Sequence, residues 1–196
     1  SLGGIPISLG IAKDTEADVR EKLNTAINER VDLLISSAGV SVGAYDVVKA
    51  VLDKSGDVGF WRVLMRPGKP LAFGSYGGIP YLGMPGNPVS AMVSFEIFAR
   101  PAILKMCGQS RLKRPRIDAI VQDDIRSDGR ESYIRAQISK DERGRYVART
   151  TGSQGSHIMT SMVMANALLV VPEGVIEVTP GTTLAALMID WPGDVF

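Results

Sequence analysis

The sequence predicts an α/β domain followed by a small all-β domain. In the first half, apolar runs of strand length alternate with segments whose apolar residues recur at helical spacing, a pattern typical of a mostly parallel sheet flanked by helices. In the second half, short strand-like runs follow one another between turn signals such as Asp128-Gly129. A polar stretch ending at Pro115 separates the halves. We therefore predict domains over residues 1–110 and 116–196, the second being a β-barrel or sandwich.

The individual elements follow from local signals. The first helix begins after Thr15, an N-cap residue type that stands in a capping-box arrangement with Asp18. Pro101 is the point at which the last helix of the first domain could bend. In that domain we predict strands over 5–11, 31–36, 59–65, 71–75 and 79–82, and helices over 16–29, 47–52 and 88–106. In the second we predict strands over 116–121, 132–139, 145–151, 167–171 and 183–189, and a helical turn over 158–165.

Composition excludes several classes of function. The 22 Lys and Arg residues nearly balance the 21 Asp and Glu residues, which argues against a general nucleic-acid binder or a binder of acidic membranes. No apolar run approaches the roughly 20 residues that cross a bilayer, and no signal-peptide pattern opens the chain. The single cysteine, Cys107, cannot form an internal disulfide, so we expect a reducing compartment, the cytoplasm. Because the chain opens on a predicted strand, we expect that a preceding element is missing.

The loop after the second strand combines hydroxyls, glycines and one carboxylate. Ser36, Ser37 and Ser41 could donate hydrogen bonds, and the helix that follows would turn its N-terminal N–H groups toward an anion. Asp46 falls in the first turn of that helix. An ordinary strand-to-helix turn, in which Asp46 only complements the helix dipole, explains the same residues. Both interpretations stay open on spacing alone.

A second loop, over residues 83–90, offers a similar choice. Asn87 is a plausible N-cap, Pro88 suits the first helical position, and Gly86 permits close approach of a ligand to the backbone. A tight, well-capped connection would need the same residues.

A third loop carries three cations, Arg62, Arg66 and Lys69. In a regular strand Arg62 and Arg66 would share a face, since they are four residues apart. Convergent cations suit a phosphate or an oxyanion such as molybdate, whereas a solvated basic loop is the plainer explanation.

Two carboxylates complete the candidate site. Asp14 follows the first predicted strand and Asp46 follows the second, so both could meet above one sheet and bind Mg²⁺. Asp14 could instead help to cap the first helix. His157 has no Cys or His partners for a zinc site and is more simply structural.

Together these segments resemble one family. Residues 36–46 look like its GGVSVGxxD motif, 60–74 like FWKVxMKPGKPxxFG, 83–91 like GLPGNPVSA, 130–135 like GRxxFxRG, 151–156 like TGxQGS and 165–174 like ANGxxxLPEG. The matches run in family order from about residue 5 to 190. The chain is therefore identified as a member of the molybdopterin molybdenumtransferase family, the MoeA and gephyrin E-domain group, and as its C-terminal part.

The resemblance implies a function, a fold and a set of site residues. The family inserts molybdate into adenylylated molybdopterin and releases AMP, with a divalent cation, taken as Mg²⁺, assisting. Its first domain is molybdopterin-binding and MogA-like. The implied catalytic residues are Asp14, Asp46, Arg62, Arg66 and Lys69, of which Asp14 and Asp46 would hold the metal. The implied substrate-binding residues are Ser37, Gly39, Ser41, Gly43, Pro85, Gly86, Asn87, Pro88, Ser90, Arg135 and Ser156.

The sequence departs from the family pattern at a few positions. Ala38 replaces the first glycine of GGVSVG, and Arg62 and Arg66 replace the more usual lysines. Ala136 stands where the family often has glycine. The family also carries N-terminal regions that complete the site and most of a homodimer, so we expect this piece alone to be inactive.

Two other functions stay open. One is a scaffold of the gephyrin type, and the other is a related molybdopterin-binding adenylyltransferase domain. The β domain argues against the second, since those relatives lack it.

Overall fold

The computed structural model describes residues 2–39, 47–55 and 57–190, with the side chain of Ser55 left aside. The chain forms two compact units. Unit 1 comprises Ser1–Val63 and Gly68–Ser110, and unit 2 comprises Leu64–Pro67 and Arg111–Phe196. The strands up to residue 110 are β1 (Leu34–Ser37), β2 (Val58–Arg62), β3 (Met65–Arg66), β4 (Pro70–Tyr76) and β5 (Ile79–Met84). The helices there are α1 (Glu16–Asn28), α2 (Val47–Ser55), α3 (Pro88–Ser94) and α4 (Arg100–Met106).

Unit 1 contains a mixed four-stranded sheet in the order β1-β5-β4-β2. Only β1 and β5 pair in parallel, whereas β5–β4 and β4–β2 are antiparallel. The prediction of a mostly parallel sheet was therefore wrong for two of these three pairings. The reason is local, because Gly77 and Gly78 both have positive φ, 58° and 80°, and close a tight hairpin between β4 and β5.

Both faces of this sheet bury apolar side chains. Successive residues of a strand point to opposite faces, so Leu71 and Leu82 face away from Ala72 and Tyr81. The first face forms a cluster with Met84 and with Ala99 and Phe98 from the last helical region of the unit. The second face forms a cluster with α1 and α2, whose buried members are Val19, Leu23, Ala26, Val51 and Leu52.

The helix predicted over 88–106 contains a change of hydrogen bonding. It runs from α3 through a π-helical turn, Phe95–Ala99, into α4. The N–H of Arg100 bonds the carbonyl of Phe95, five residues back. Pro101 follows directly, and because proline lacks an N–H and crowds the preceding turn, a widened turn at this point accommodates it.

The predicted strand over residues 5–11 was wrong. The segment has no regular secondary structure and pairs with no strand of the described residues. Ile5 is 91% exposed and Ile11 is 95% exposed, while Leu9 and Ala12 pack against the cluster of α1 and α2. An apolar run becomes a strand only where a neighbour takes its backbone hydrogen bonds, and Pro6 removes one donor from this run.

Unit 2 is built on a closed barrel. Its further elements are β6 (Arg116–Val121), β7 (Ile125–Arg126), β8 (Glu131–Lys140), β9 (Tyr146–Thr150), α5 (Met159–Val163), β10 (Ala167–Val171), β11 (Glu177–Val178) and β12 (Thr183–Met188). The sheet order β10-β12-β6-β9-β8 closes through a β10–β8 pairing, which gives five strands around one apolar core. Closure removes the open strand edges that a small sheet would otherwise expose. The predicted five strands and helical turn are confirmed.

Two short pairings in unit 2 were not predicted. β3 adds to the barrel in parallel with β8, with Met65 opposite Glu131 and Arg66 opposite Ser132. The strand predicted over 59–65 is therefore two elements, since β2 ends at Arg62. β7 and β11 form a separate two-stranded ribbon. Such two-residue strands carry too little periodicity to be seen in a sequence.

Among the described residues, no helix is long and apolar enough to cross a membrane.

The N-cap of α1 gives a direct test of the local assignment. The Thr15 Oγ1 accepts the backbone N–H of Asp18 at 3.3 Å. We expect Thr15→Ala to lower the free energy of unfolding by about 1 kcal/mol, because it leaves one N–H of the first turn without its partner. Urea denaturation followed by circular dichroism measures the change.

The matched control is Thr25→Ala in the same helix. The hydroxyl of Thr25 only bonds back to the Glu21 carbonyl at 2.9 Å. Alanine has the higher helix propensity, so this variant should be neutral or slightly more stable. Equal losses in both variants would show that Thr15 does not act as a cap.

Candidate functional site

The largest fully buried side chain in the described structure is a cation. Arg135 lies in the middle of β8 and is 1% exposed. Its Nε donates to the Ser161 Oγ at 3.1 Å, and its Nη2 donates to the Gly155 carbonyl at 3.1 Å. Both acceptors are neutral. Among the described residues no carboxylate lies within ion-pairing distance of Arg135.

Burial shifts the titration of this guanidinium. Burial and, to a smaller extent, the nearby charge of Arg66 together lower the pKa of Arg135 to about 10. The group is still protonated at neutral pH. A buried cation that is hydrogen-bonded only to neutral atoms remains poorly compensated, so an anion bound beside it would be favourable.

The side chain of Gln154 makes the backbone hydrogen bonds to Arg135 that a neighbouring strand would otherwise make. The Gln154 Oε1 accepts the N–H of Arg135 at 2.9 Å, and the Gln154 Nε2 donates to the Arg135 carbonyl at 3.2 Å. The same carbonyl accepts the N–H of Thr151 at 3.0 Å. One amide group thus satisfies both backbone groups of a residue whose strand partner β9 has already ended at Thr150.

The turn after Gln154 places one hydroxyl beside this network. Ser156 is half-buried in the turn that connects Gly155 to Ile158, where the Ile158 N–H bonds the Gly155 carbonyl at 3.2 Å. In the described structure the Ser156 hydroxyl makes no hydrogen bond, so it could donate to a ligand.

Two further arginines of unit 2 cluster around one carboxylate. Asp128 accepts from the Arg130 Nε at 3.1 Å and pairs with the Arg66 Nη1 at 3.5 Å. The hydrogen bond from the Arg130 side chain is the main cause that lowers the pKa of Asp128 to about 2. Asp128 is thus the carboxylate that pairs with Arg66 and Arg130, whereas the guanidinium of Arg135 has neutral partners.

In unit 1, the carboxyl ends of β1 and β5 meet. The Ala38 N–H bonds the Met84 carbonyl at 3.0 Å, and the Ser37 hydroxyl donates to the Pro85 carbonyl at 3.3 Å. A Cβ on Gly86 would lie 3.0 Å from the Cβ of Ala38, so the two loops touch. Ala38 has φ of 75°, a conformation that costs alanine about 1 kcal/mol and glycine nothing. The family's glycine at this position has that physical reason.

The other predicted residues of these two loops lie as follows. Gly39 has φ of 79°, and a Cβ there would come within 2.4 Å of the Val48 side chain, so the position requires glycine. Asn87 is the N-cap of α3 and Pro88 its first residue, but the Asn87 side chain makes no capping bond, and its buried Oδ1 has no partner among the described residues. Ser90 is buried. Ser41 and Gly43 lie outside the described residues.

The three cations of the third predicted loop do not share a strand. Arg62 ends β2, where the next N–H, from Val63, bonds the Lys69 carbonyl at 2.8 Å. Arg62 and Lys69 are exposed residues of unit 1, whereas Arg66 belongs to β3 of unit 2. The predicted common face of Arg62 and Arg66 was wrong because the strand breaks between them.

Of the two carboxylates predicted to bind Mg²⁺, the structure describes one. Asp14 is exposed, precedes Thr15, and makes no hydrogen bond or ion pair within the described ranges. The strand that was expected to place it above a sheet is not formed. Asp46 lies outside the described residues. Among the residues that are described, no group of three or more His, Cys, Asp or Glu could hold a metal ion.

Two family models match successive parts of the chain. Residues 1–105 match the sequence model of a family described as "Probable molybdopterin binding domain". The chain belongs to that molybdopterin-binding family. Residues 118–189, which include Arg135 and Ser156, match the MoeA C-terminal region, domain IV.

Individual relatives extend over nearly the whole chain. A molybdopterin molybdenumtransferase of Haemophilus influenzae is 39% identical over 180 residues, which cover 91% of this chain and 44% of that protein. Gephyrin of Dictyostelium discoideum is 35% identical over 212 residues, which cover 96% of this chain and 28% of that protein. A crystal structure of the molybdopterin biosynthesis moeA protein from Pyrococcus horikoshii has a TM-score of 0.77 at 25% identity, over 97% of this chain and 45% of that one. The chain thus spans less than half the length of these relatives.

Three residues that support the arginines of unit 2 could not be identified from the sequence. Gln154 stood inside a quoted motif, but only the structure shows that it holds the Arg135 backbone. Ser161 had no signal in the sequence, because a serine in a Met-rich helical turn looks unremarkable. Asp128 was noted only as part of a turn.

The amide of Gln154 can be tested by an uncharged replacement. We expect Gln154→Leu to lower the free energy of unfolding of the molybdopterin-binding chain by about 1–3 kcal/mol, because a buried N–H loses its only partner. Urea denaturation measures it.

Gln122→Leu is the matched control, since the exposed Gln122 only accepts from the Arg149 side chain at 3.3 Å. That change should stay within about 0.5 kcal/mol. A Gln154 variant as stable as the control would contradict the proposed support of Arg135.

Proposed function

We propose that this chain takes part in the transfer of molybdate to adenylylated molybdopterin, with release of AMP. The family membership supports a molybdopterin ligand, and relatives named molybdopterin molybdenumtransferase support the reaction. The observation that carries the proposal is the buried, protonated Arg135, which has no carboxylate partner among the described residues and lies in the region that matches the MoeA C-terminal family.

In this proposal unit 2 binds an oxyanion. The guanidinium of Arg135 donates charge-assisted hydrogen bonds to the anion, and the free hydroxyl of Ser156 donates one more. The donors are fixed before the anion arrives, because Gln154 and Gly155 hold the Arg135 backbone and side chain. Pre-oriented donors in a poorly solvated place stabilise developing negative charge better than mobile ones in water.

We propose that unit 1 binds the polyanionic pterin nucleotide. Arg62 and Lys69 are exposed cations that can pair with phosphate oxygens. The touching loops after β1 and β5 would supply backbone and hydroxyl donors. The proposed residues there are Ser37, Gly39, Ser41, Gly43, Pro85, Gly86, Asn87, Pro88 and Ser90.

Mg²⁺ is proposed as the assisting cation. Carboxylate oxygens are the donors that this hard cation prefers. Asp14, which is exposed and has no partner within the described ranges, fits that chemistry as one ligand, with Asp46 proposed as another. When bound, the ion would neutralise charge on the pyrophosphate. We further propose that the enzyme of full length is a cytoplasmic homodimer, as the family resemblance implies.

The experiment measures AMP release from adenylylated molybdopterin on addition of molybdate. It is performed on a protein of the relatives' length that carries this chain. We expect Arg135→Lys to lower kcat/KM by roughly 100-fold, because a point charge cannot keep both bonds of the planar guanidinium and face the anion. Ser156→Ala should lose roughly tenfold without loss of stability, since its hydroxyl bonds nothing in the described structure.

Arg149→Lys on the neighbouring strand β9 is the control, because Arg149 is exposed and bonds only the Gln122 side chain. Unchanged AMP release in both site variants would contradict the proposed anion site. The absence of molybdate-dependent AMP release from the unmutated protein would favour a scaffold or adenylyltransferase role instead.

A further inference from the structure

Asp128 joins two arginines from different parts of unit 2. It lies in the turn between β7 and β8, where its Oδ1 accepts the N–H of Arg130 at 3.3 Å and both oxygens accept from the Arg130 side chain. On its other side, the Asp128 Oδ2 pairs with the Arg66 Nη1 at 3.5 Å.

The Arg130 side chain ties this turn to β3. Its Nη1 donates to the Met65 carbonyl at 3.1 Å, and Met65 is buried opposite Glu131 at the start of β8. The residue after Met65 is Arg66. Pairing with β8 thus holds the backbone of Arg66, and Asp128 holds its guanidinium.

Stability is a poor explanation for this arrangement. The side chains of Arg66, Arg130 and Asp128 are 46%, 30% and 39% exposed, and ion pairs at such exposure contribute little to folding. Arg66 lies opposite Ser132 on β8, three residues before Arg135 on the same strand, and its charge lowers the pKa of that buried group. Asp128 offsets the charge of Arg66 only in part, since both side chains are exposed, and an anion bound beside Arg135 and Arg66 would reduce the remaining repulsion between them.

We propose that Asp128 is a positioning residue that aims Arg66 at the anion bound by Arg135, so that two guanidinium groups share one doubly charged oxyanion. The inference rests on the proposed function, and it adds a residue that does not itself touch the anion. Asp128 acts only through Arg66 and Arg130.

Arginine can bind Asp128 and the anion at the same time better than lysine can. A guanidinium has five N–H donors in a rigid fork, so Arg66 can pair with Asp128 through one nitrogen and donate from the others to the anion. A lysine ammonium is a compact charge on a flexible stem and would collapse onto the carboxylate. The arginine at position 66, where the family more usually has lysine, and the carboxylate at position 128 therefore work as a pair.

The direction in which one substitution changes the affinity for the anion distinguishes positioning from simple electrostatic attraction. Removing a negative charge near an anion site should strengthen anion binding if only Coulomb attraction matters. Loss of positioning should weaken it instead. Asp128→Asn is the suitable change, because the amide keeps an oxygen that can accept the Arg130 N–H and so preserves the turn.

The experiment titrates sodium molybdate into the chain by isothermal calorimetry. We expect Asp128→Asn to raise Kd by about fivefold, which corresponds to roughly 1 kcal/mol. Asp141→Asn is the matched control. Asp141 is also a turn aspartate of unit 2, bonded to the backbone of Arg143 and Arg145 and to the Arg145 side chain, and its change should leave Kd unaltered.

A double-mutant cycle with Arg66→Ala tests the route of the effect. If Asp128 acts through Arg66, the Asp128→Asn change should have no further effect on Kd once Arg66 is alanine. Equal or tighter molybdate binding by Asp128→Asn would overturn the inference and leave the oxyanion site standing. Failure of the unmutated chain to bind molybdate would overturn the oxyanion site and the inference with it.

Discussion

The burial of Arg135 is the constraint on which the site in unit 2 depends. Moving a charged group out of water costs several kcal/mol unless partners replace the lost hydration. The guanidinium's partners are a hydroxyl and a backbone carbonyl, both neutral, while the side-chain amide of Gln154 bonds the backbone of Arg135. The loop over residues 151–161 is therefore needed to keep the cation inside, and the charge itself remains available to a ligand.

This arrangement couples folding to binding. A closed barrel with an apolar core gives unit 2 a rigid base, and β8 carries both the core residues and the buried cation. An anion that binds only the folded unit would stabilise it in proportion to the logarithm of its concentration over Kd. The nearby arginines, Arg66 and Arg130, add positive charge, which their ion pairs with Asp128 partly offset.

Local signals in the sequence predicted local structure well. The cap at Thr15, the separate strands β4 and β5 and the barrel strands follow from residue types within a few positions of each other. Pairing between distant segments could not be read in this way. The run over 5–11 has strand composition but no neighbour, and the backbone between Arg62 and Arg66 breaks because β3 pairs with β8, more than 60 residues later.

The central claim is that the buried guanidinium of Arg135 is the oxyanion ligand of unit 2. The most direct measurement is a crystal structure of the chain soaked in sodium tungstate, with data collected at the tungsten absorption edge. The account predicts an anomalous peak within hydrogen-bonding reach of Arg135 and Ser156. A peak elsewhere in unit 2, or an Arg135 guanidinium paired with a carboxylate of this chain, would contradict it.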